Sequence, residues 1–368
     1  MMYSLAVVPL QLDDLAVSIK SAIYGEVRFV KINWIVGKGE KFMPLPLAEG
    51  LTLGVQTIHR RTEPSTKPWI PTLDDGRDVV ELVDQLGFDS IWVGDHLAFA
   101  VPILDPVVQL AQAAVFSTRL KIGTAVFLQP LRHPGPTAKQ IATLDLLSNG
   151  RFIFGLGVGG EFESDFSVAG VPIVERGSRL SESIEVMRKL WSGQRVSHSG
   201  RHFQFENIQM EPAPCQLSGP PIWLGGRSDP ALRRAARMAD GWMSYVVTPD
   251  TYRESLDKIQ VEYDRSGRSI EQFVSAHLLF ARLDKDYETA LNAAVKSLSV
   301  RYNMDFRRAA ERYCALGTAE QIAQSLQKFY EAGARYIILD LVGPYEERLD
   351  HLAAFADEVL PLIGEMMP

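Results

Sequence analysis

A closed (β/α)8 barrel, the α/β fold also called a TIM barrel, is predicted for this 368-residue sequence by three observations. Eight short runs rich in β-branched and aromatic residues alternate with helix-like stretches along most of the chain. The runs are almost continuously apolar, as strands covered by helices on both faces should be. Regular alternation implies parallel strands joined by right-handed crossovers, and eight units at this length favour a closed barrel over an open sheet.

The predicted strands follow one another at nearly constant intervals. In chain order they are LTLGVQT from Leu51, SIWVGDHL from Ser90, LKIGTAVFL from Leu120, RFIFGLGV from Arg151, PIWLGG from Pro221, WMSYVV from Trp242, FVSAHLLFARL from Phe273 and YIILDLV from Tyr336. Two connections are long, at residues 161–219 after the fourth strand and 283–317 after the seventh. Both leave the carboxyl ends of strands, where such barrels carry their active sites, so we expect them to form pocket walls or lids.

Helix ends are marked by capping residues. The helix after the first strand should stop at Gly87, a C-cap glycine. Asp105-Pro106 and Asp229-Pro230 each place an N-cap side chain before a proline at the first helical position. Thr318 with Gln321 forms a capping box, which predicts the start of the last helix before the eighth strand.

Residues 1–50 do not follow the alternation, so we treat them as an N-terminal extension before a single barrel domain over residues 51–368. The extension could supply a strand or hairpin that closes the barrel bottom. It could also be a loose arm, or a segment that is not natively translated, because Met43 lies only eight positions before Leu51. The sequence leaves these alternatives open.

Composition and charge exclude several classes of protein. A formal net charge of −7 argues against binding to a nucleic-acid backbone, which needs clustered Lys and Arg. Two cysteines, Cys215 and Cys314, are too few to stabilise a chain of this length by disulfide bonds. We therefore expect the protein in a reducing cytoplasm. We expect no membrane span, because no apolar window approaches about 18 residues. We also expect no metal site and no serine hydrolase site, since the sequence has neither an H-E-x-x-H nor a G-x-S-x-G motif.

The stretch GLGVGG at Gly155–Gly160 satisfies the G-x-G-x-x-G pattern of a dinucleotide-binding turn. That turn needs its third glycine to open a helix whose N-terminus faces a pyrophosphate. Here three carboxylates follow at once, Glu161, Glu163 and Asp165, and the next convincing helix begins only near Ser178. We therefore interpret the stretch as a glycine-rich loop at the end of the fourth strand, with the carboxylates on the substrate side of a pocket.

A second polar loop follows the fifth strand. It reads LGGRSD and contains Leu224, Gly225, Gly226, Arg227 and Ser228 just before a predicted helix. Backbone N–H groups, a guanidinium and a hydroxyl at a helix start make an anion site. A tight turn with a solvated arginine is the alternative.

Several blocks of the sequence, in the same order, resemble the bacterial luciferase-like flavin-dependent oxidoreductases and monooxygenases. The matching blocks are GFDSIWVGDHL, IGTAVFLQPLRHPGPTAKQIATLDLLSNGRFIFGLGVGGE, RLSESIEVMRKLWSG and PPIWLGGRSDPALRRAARMADGW. The resemblance extends over about residues 51–345. It implies a (β/α)8 barrel that binds either FMN or the deazaflavin coenzyme F420 at its mouth.

The resemblance also implies catalytic residues. Asp95 and His96 match a pair that lies near the flavin ring, where the imidazole can move a proton because histidine titrates near neutral pH. Glu161 matches an acidic residue close to the substrate and is a candidate acid or base. The alternatives are a loop-capping Asp95 with a structural His96, and a solvated Glu161.

Cofactor contacts are implied at three places. Thr124, Ala125 and Val126 should run under the flavin ring, where some members of the family carry a non-proline cis peptide. The phosphate should lie against the loops after the fourth and fifth strands; their candidate residues are Gly157, Gly159, Gly160 and Leu224, Gly225, Gly226, Arg227, Ser228. Arg132 and His133 begin the loop after the third strand and either meet a phosphate or substrate or anchor that loop.

The leading hypothesis is a flavin-dependent oxidoreductase acting on a small organic substrate. It would be either a monooxygenase on reduced FMN, served by a separate flavin reductase, or a hydride-transfer enzyme on F420, and the Asp95-His96 pair slightly favours F420. A homodimer is expected from the family. The alternatives are a non-catalytic flavin-binding barrel, and an isomerase or lyase acting on a phosphorylated substrate.

Overall fold

The computed structural model describes residues 45–47, 49–56 and 72–366. Within them the strands are β1 (Thr52–Gln56), β2 (Ser90–Val93), β3 (Lys121–Thr124), β4 (Phe152–Leu156), β5 (Val196–Ser199), β6 (Gln204–Ile208), β7 (Ile222–Gly225), β8 (Gly241–Tyr245), β9 (Val274–Leu283), β10 (Ala315–Gly317) and β11 (Tyr336–Leu341). Eight of these pair in parallel in the order β1-β2-β3-β4-β7-β8-β9-β11, and β11 pairs with β1 to close the ring. The predicted (β/α)8 barrel and all eight predicted strands are confirmed.

Helices cover the outside of the barrel. They are α1 (Leu73–Gln85), α2 (Pro106–Phe116), α3 (Pro134–Leu147), α4 (Glu163–Ala169), α5 (Arg176–Trp191), α6 (Asp229–Met238), α7 (Pro249–Ser266), α8 (Tyr287–Tyr302), α9 (Arg307–Tyr313), α10 (Ala319–Glu331), α11 (Arg348–Glu358) and α12 (Leu360–Met366). Asp105 caps α2 as predicted, accepting the N–H groups of Val107 and Val108. Helix α6 begins one residue earlier than predicted, with Ser228 and not Asp229 at the N-cap.

The two predicted insertions are present. After β4 the chain forms the short helix α4, then α5 and the antiparallel β5-β6 hairpin. After β9 it forms α8, α9 and β10. Because α4 has only seven residues and ends at Gly170, the glycine-rich loop does not open the long helix that a dinucleotide turn requires.

An aromatic cluster fills the interior of the barrel below its mouth. The rings of Trp92 and Trp223 stack at 5.1 Å, and the ring of Tyr336 meets both edge-on, at 5.7 and 4.9 Å. Gly123 makes room for this cluster, because a Cβ there would lie 2.3 Å from the Trp92 ring. Side chains of this cluster therefore fill the described part of the barrel interior below the mouth.

The expectations for the N-terminal extension concern residues that lie almost entirely outside the described ranges. Of that segment, Pro46 accepts the Phe273 N–H at 2.9 Å, next to a parallel bridge between Leu47 and Phe273. Among the described helices, none is both long and apolar enough to cross a bilayer.

Candidate active site

A cavity opens at the carboxyl ends of all eight barrel strands. Ten of the residues predicted from the sequence line it: Asp95, His96, Ala125, Val126, Gly157, Gly159, Gly160, Glu161, Gly225 and Gly226. The insertion after β9 contributes Tyr302, so this insertion is a pocket wall. Of these ten residues, Asp95 and Gly226 are the farthest apart in the sequence, by 131 positions, and the barrel strands bring them to one cavity.

Four other predicted residues do not line the cavity. Thr124 is buried and donates its hydroxyl to the Gly155 carbonyl at 2.7 Å, and the Leu224 side chain packs in the core between sheet and helices. Side chains of a strand alternate between its two faces, so these neighbours of cavity residues point away from the cavity. Arg227 and Ser228 are exposed beyond the end of β7.

A close-packed cradle forms where the ends of β3, β4 and β7 meet. The peptide bond between Ala125 and Val126 is cis, and the Val126 side chain fits between two glycines. A Cβ on Gly157 would lie 2.4 Å from Val126 Cγ2, and a Cβ on Gly225 would lie 3.2 Å from Val126 Cγ1. Because neither glycine carries a side chain, both leave room for Val126, which lines the cavity beside Ala125 as an apolar surface.

His96 is held by a carboxylate from helix α4, in the insertion after β4. Its Nδ1 lies 2.8 Å from Asp165 Oδ2. The imidazole also stacks on Phe99 at 4.1 Å with an interplanar angle of 4°, and the Phe162 ring meets it edge-on at 5.3 Å. These contacts fix the ring and leave Nε2 as the nitrogen available to the cavity.

The contact of Asp165 with His96 is one that the sequence did not reveal. Asp165 is 1% exposed and, besides His96, its Oδ1 accepts the N–H groups of Leu97 and Ala98 at 2.7 and 2.8 Å. A carboxylate acceptor at Nδ1 favours the tautomer that carries its proton there, so Nε2 keeps a free lone pair. The sequence offered Asp165 only as one of three carboxylates after the glycine-rich loop, without a signal that it turns towards His96.

Asp95 has a different partner from its sequence neighbour His96. Arg132 holds its fully buried carboxylate with two hydrogen bonds, and the Leu128 N–H donates to it at 2.8 Å. Arg132 therefore anchors the loop after β3, which was one of its two predicted roles. His133 caps α3 by accepting the Gly135 N–H at 3.1 Å.

Glu161 accepts a hydrogen bond from the Tyr245 hydroxyl. Burial and the neighbouring Glu161 carboxylate raise the pKa of Tyr245, so the phenol stays protonated at physiological pH. The Arg227 guanidinium lies 5.6 Å from the Tyr245 ring and donates to the Val246 carbonyl at 3.1 Å. Arg227 thus borders the rim of the cavity next to a tyrosine that the sequence analysis did not select.

A buried ion pair and a buried amide complete the polar lining. Arg301 of α8 donates to Asp340 of β11 at 2.7 Å, and the side chains are 4% and 6% exposed. Gln56 lines the cavity at the end of β1, and its Oε1 has no hydrogen-bond partner among the described residues. His59, three positions after Gln56 in the sequence, lies outside the described ranges.

A closed parallel barrel with its polar cavity at the carboxyl ends of the strands is the architecture of TIM-barrel proteins. Within that class the sequence profile of the luciferase-like monooxygenases matches residues 52–336. The chain belongs to this family.

Individual relatives fall into two functional groups. The chain is 25% identical over 319 residues to an F420-dependent glucose-6-phosphate dehydrogenase of Nakamurella multipartita, covering 79% of this chain and 92% of the relative. It is 27% identical over 234 residues to the oxygenase component of a flavin-dependent trigonelline monooxygenase of Acinetobacter baylyi, covering 62% of this chain and 64% of the relative. The solved F420-dependent secondary alcohol dehydrogenase shares the fold with a TM-score of 0.73 at 20% identity, covering 85% of this chain and 99% of the other. Homologues therefore use either F420 or a flavin.

Proposed function

We propose that this protein is an F420-dependent oxidoreductase that transfers a hydride between the coenzyme and an alcohol or its carbonyl compound. The observation that carries the proposal is the contact between His96 and the buried Asp165 in a cavity that also contains the Val126 cradle. An alcohol that loses a hydride from carbon must also lose a proton from oxygen. An imidazole whose ring is held in place, with Nδ1 bound to a carboxylate, provides the base for that proton.

The residues present fit a flat tricyclic coenzyme. The cradle of Val126, Gly157 and Gly225 would hold the ring, because its glycines let the Val126 side chain pack in place as an apolar surface of the cavity. Gly226, Arg227 and Ser228, at the start of the ten-residue helix α6, would hold the phosphate. When bound, F420 supplies the hydride acceptor.

The chain's own part in the reaction is proton transfer and positioning. Substrate oxygen binds at His96 Nε2, which takes the hydroxyl proton during oxidation and returns it during reduction. The Asp165 carboxylate stabilises the imidazolium that forms and holds the ring in place. Asp95 and Arg132 position the loop that carries Leu128 and do not touch the reacting atoms.

Binding and turnover together test the proposal. We expect the apoprotein to bind F420 more tightly than FMN, measured by fluorescence titration, and to reduce F420 with an alcohol substrate. His96→Ala should keep coenzyme affinity but lose about 10²–10⁴-fold in kcat. His133→Ala, which changes a histidine outside the cavity, is the matched control and should keep full turnover.

Other outcomes would favour other functions. Oxygen-dependent turnover with reduced FMN, supplied by a separate reductase, would indicate a monooxygenase. Tight coenzyme binding without turnover across a substrate panel would indicate a non-catalytic binder. Binding of sugar phosphates but of neither coenzyme would indicate an isomerase or lyase.

A homodimer and a cytoplasmic location remain predictions. The homodimer has a candidate surface on the outer faces of α2 and α3, where Val108, Val115 and Leu147 are 70%, 76% and 66% exposed. Three large exposed apolar side chains on adjacent helices favour burial of this surface against another protein. Sedimentation of the purified protein would test the dimer.

A further inference from the structure

The seventh barrel strand and the insertion after it build an aromatic wall, formed by Phe280 of β9 and Tyr302 of α8. Both rings line the cavity, and their centroids are 6.3 Å apart. Phe306 supports them from behind, stacked on Tyr302 at 5.2 Å and 6.2 Å from Phe280. Phe280 and Phe306 are 2% and 5% exposed, so packing holds the wall in place.

The order of the strands around the barrel determines which residues lie opposite the aromatic wall. In an eight-stranded ring the strand four places away lies across the barrel. β9 is four places from β3 in the closed order, so the aromatic wall faces the end of β3, with Val126, across the mouth. β8, which ends at Tyr245, lies across from β2, which leads to His96. A ring seated on the Val126 cradle would leave a slot between itself and the aromatic wall, with His96 at one side.

We infer that the aromatic wall is the subsite for the substrate's carbon skeleton, and that the substrate is an aryl alcohol or the corresponding aryl aldehyde or ketone. The inference rests on the proposed function. A slot with a flat coenzyme on one side and two phenyl-type rings on the other favours a planar apolar group, because aromatic rings gain from both burial and edge or offset contacts. The carbinol carbon would then lie between the coenzyme and His96.

Two arginines next to the cavity are already paired and are not available to a substrate phosphate. Arg132 and Arg301 are each bound to a buried aspartate that lines the cavity, Asp95 and Asp340. A phosphate that recruited either arginine would leave its aspartate buried without a partner, which is costly. We therefore expect this chain to differ in substrate from the glucose-6-phosphate dehydrogenase that it resembles.

The test compares an aryl and an alkyl alcohol in the F420-loaded protein and in Tyr302→Ala. Wild type should oxidise benzyl alcohol with kcat/KM at least about tenfold above that for 2-propanol. Tyr302→Ala should lose about tenfold for benzyl alcohol and less than about threefold for 2-propanol. Quenching of F420 fluorescence by benzaldehyde, which measures binding to the oxidised complex without turnover, should weaken in parallel.

Two control variants distinguish the effect of losing the aromatic ring from the effect of disturbing the fold of the insertion. Tyr302→Phe keeps the ring and should keep the aryl preference. Tyr313→Ala removes a tyrosine of the same insertion that does not line the cavity and should behave as wild type.

Three results would overturn the inference while leaving the proposed function intact: equal or better turnover of 2-propanol, an equal loss for both alcohols in Tyr302→Ala, or glucose 6-phosphate as the best substrate. Failure of every alcohol to reduce F420 would overturn the proposed function and this inference with it.

Discussion

At the scale of single residues, Asp95 and His96 bind different partners at the end of the same strand. His96 and Asp95 are adjacent in the chain, yet their partners are Asp165 and Arg132, 69 and 37 positions away. A strand end turns consecutive side chains in different directions, so adjacency in sequence does not predict contact. Asp165 and Glu161 are chemically similar and close in sequence. Only their positions in space determine that Asp165 contacts His96 and that Glu161 contacts Tyr245.

Replacing Asp165 by asparagine tests the positioning of His96. The amide keeps the shape but offers an N–H to His96 Nδ1, which favours the tautomer with its proton on Nε2 and removes the base. We expect Asp165→Asn to lower kcat at least about tenfold and to change the pH profile of kcat, with coenzyme affinity retained. Asp105→Asn, at the N-cap of α2 where both residues cap well, is the control. Unchanged kcat in Asp165→Asn would remove Asp165 from the mechanism.

Removing Arg132 tests the structural role of Asp95. The substitution Arg132→Ala leaves a fully buried carboxylate without its cation. We expect the free energy of unfolding, measured in urea, to fall by about 3–5 kcal/mol. Arg77→Ala breaks an exposed ion pair with Asp74 and should cost at most about 1 kcal/mol. A similar small loss for both variants would contradict the anchoring role.

At the scale of elements, the strands and caps were predictable because they depend on local pattern. Continuous apolar runs gave all eight barrel strands, and Asp105 marked the start of α2. The lining of the cavity by Tyr302 was not predictable, because it depends on how the insertion after β9 packs against that strand. The sequence showed the length of the insertion but not which of its residues turns inward.

The junction of β3 and β4 requires a glycine. A Cβ on Gly155 would lie 1.9 Å from the Thr124 carbonyl oxygen, and backbone cannot move aside as a flexible side chain can. We expect Gly155→Ala to lower the free energy of unfolding by about 3 kcal/mol and to weaken coenzyme binding at the adjacent cradle. Gly50→Ala, where nothing lies within 4 Å, should change stability by less than about 0.5 kcal/mol. Equal stability of the two variants would contradict this packing.

At the scale of the whole molecule, the closed barrel buries titratable groups that do not themselves line the cavity. Burial lowers the pKa of His277 to about 3 and that of His351 to about 3. In the unfolded chain histidine titrates near 6.5, so between these values the unfolded state binds more protons than the folded state. The contribution of these two histidines to the free energy of unfolding is therefore fully present above about pH 6.5. It is lost progressively as the pH drops towards 3.

Unfolding at several pH values checks this effect. We expect each of these histidines to add up to about 1.4 kcal/mol per pH unit to the loss of stability below pH 6.5. His351→Gln keeps an acceptor for the Leu283 N–H, which His351 Nε2 accepts at 3.0 Å, and should flatten the dependence. An unaltered slope in His351→Gln would contradict the buried neutral state of that histidine.

Hydride transfer between alcohol and coenzyme is the central claim, and isotope transfer measures it most directly. The protein is incubated without oxygen with F420 and benzyl or isopropyl alcohol deuterated at the carbinol carbon, and the coenzyme is analysed by mass spectrometry. The account predicts one deuterium in the reduced coenzyme for each alcohol oxidised. Coenzyme that stays oxidised and unlabelled, in a protein that oxygenates substrates with reduced FMN and oxygen, would contradict it.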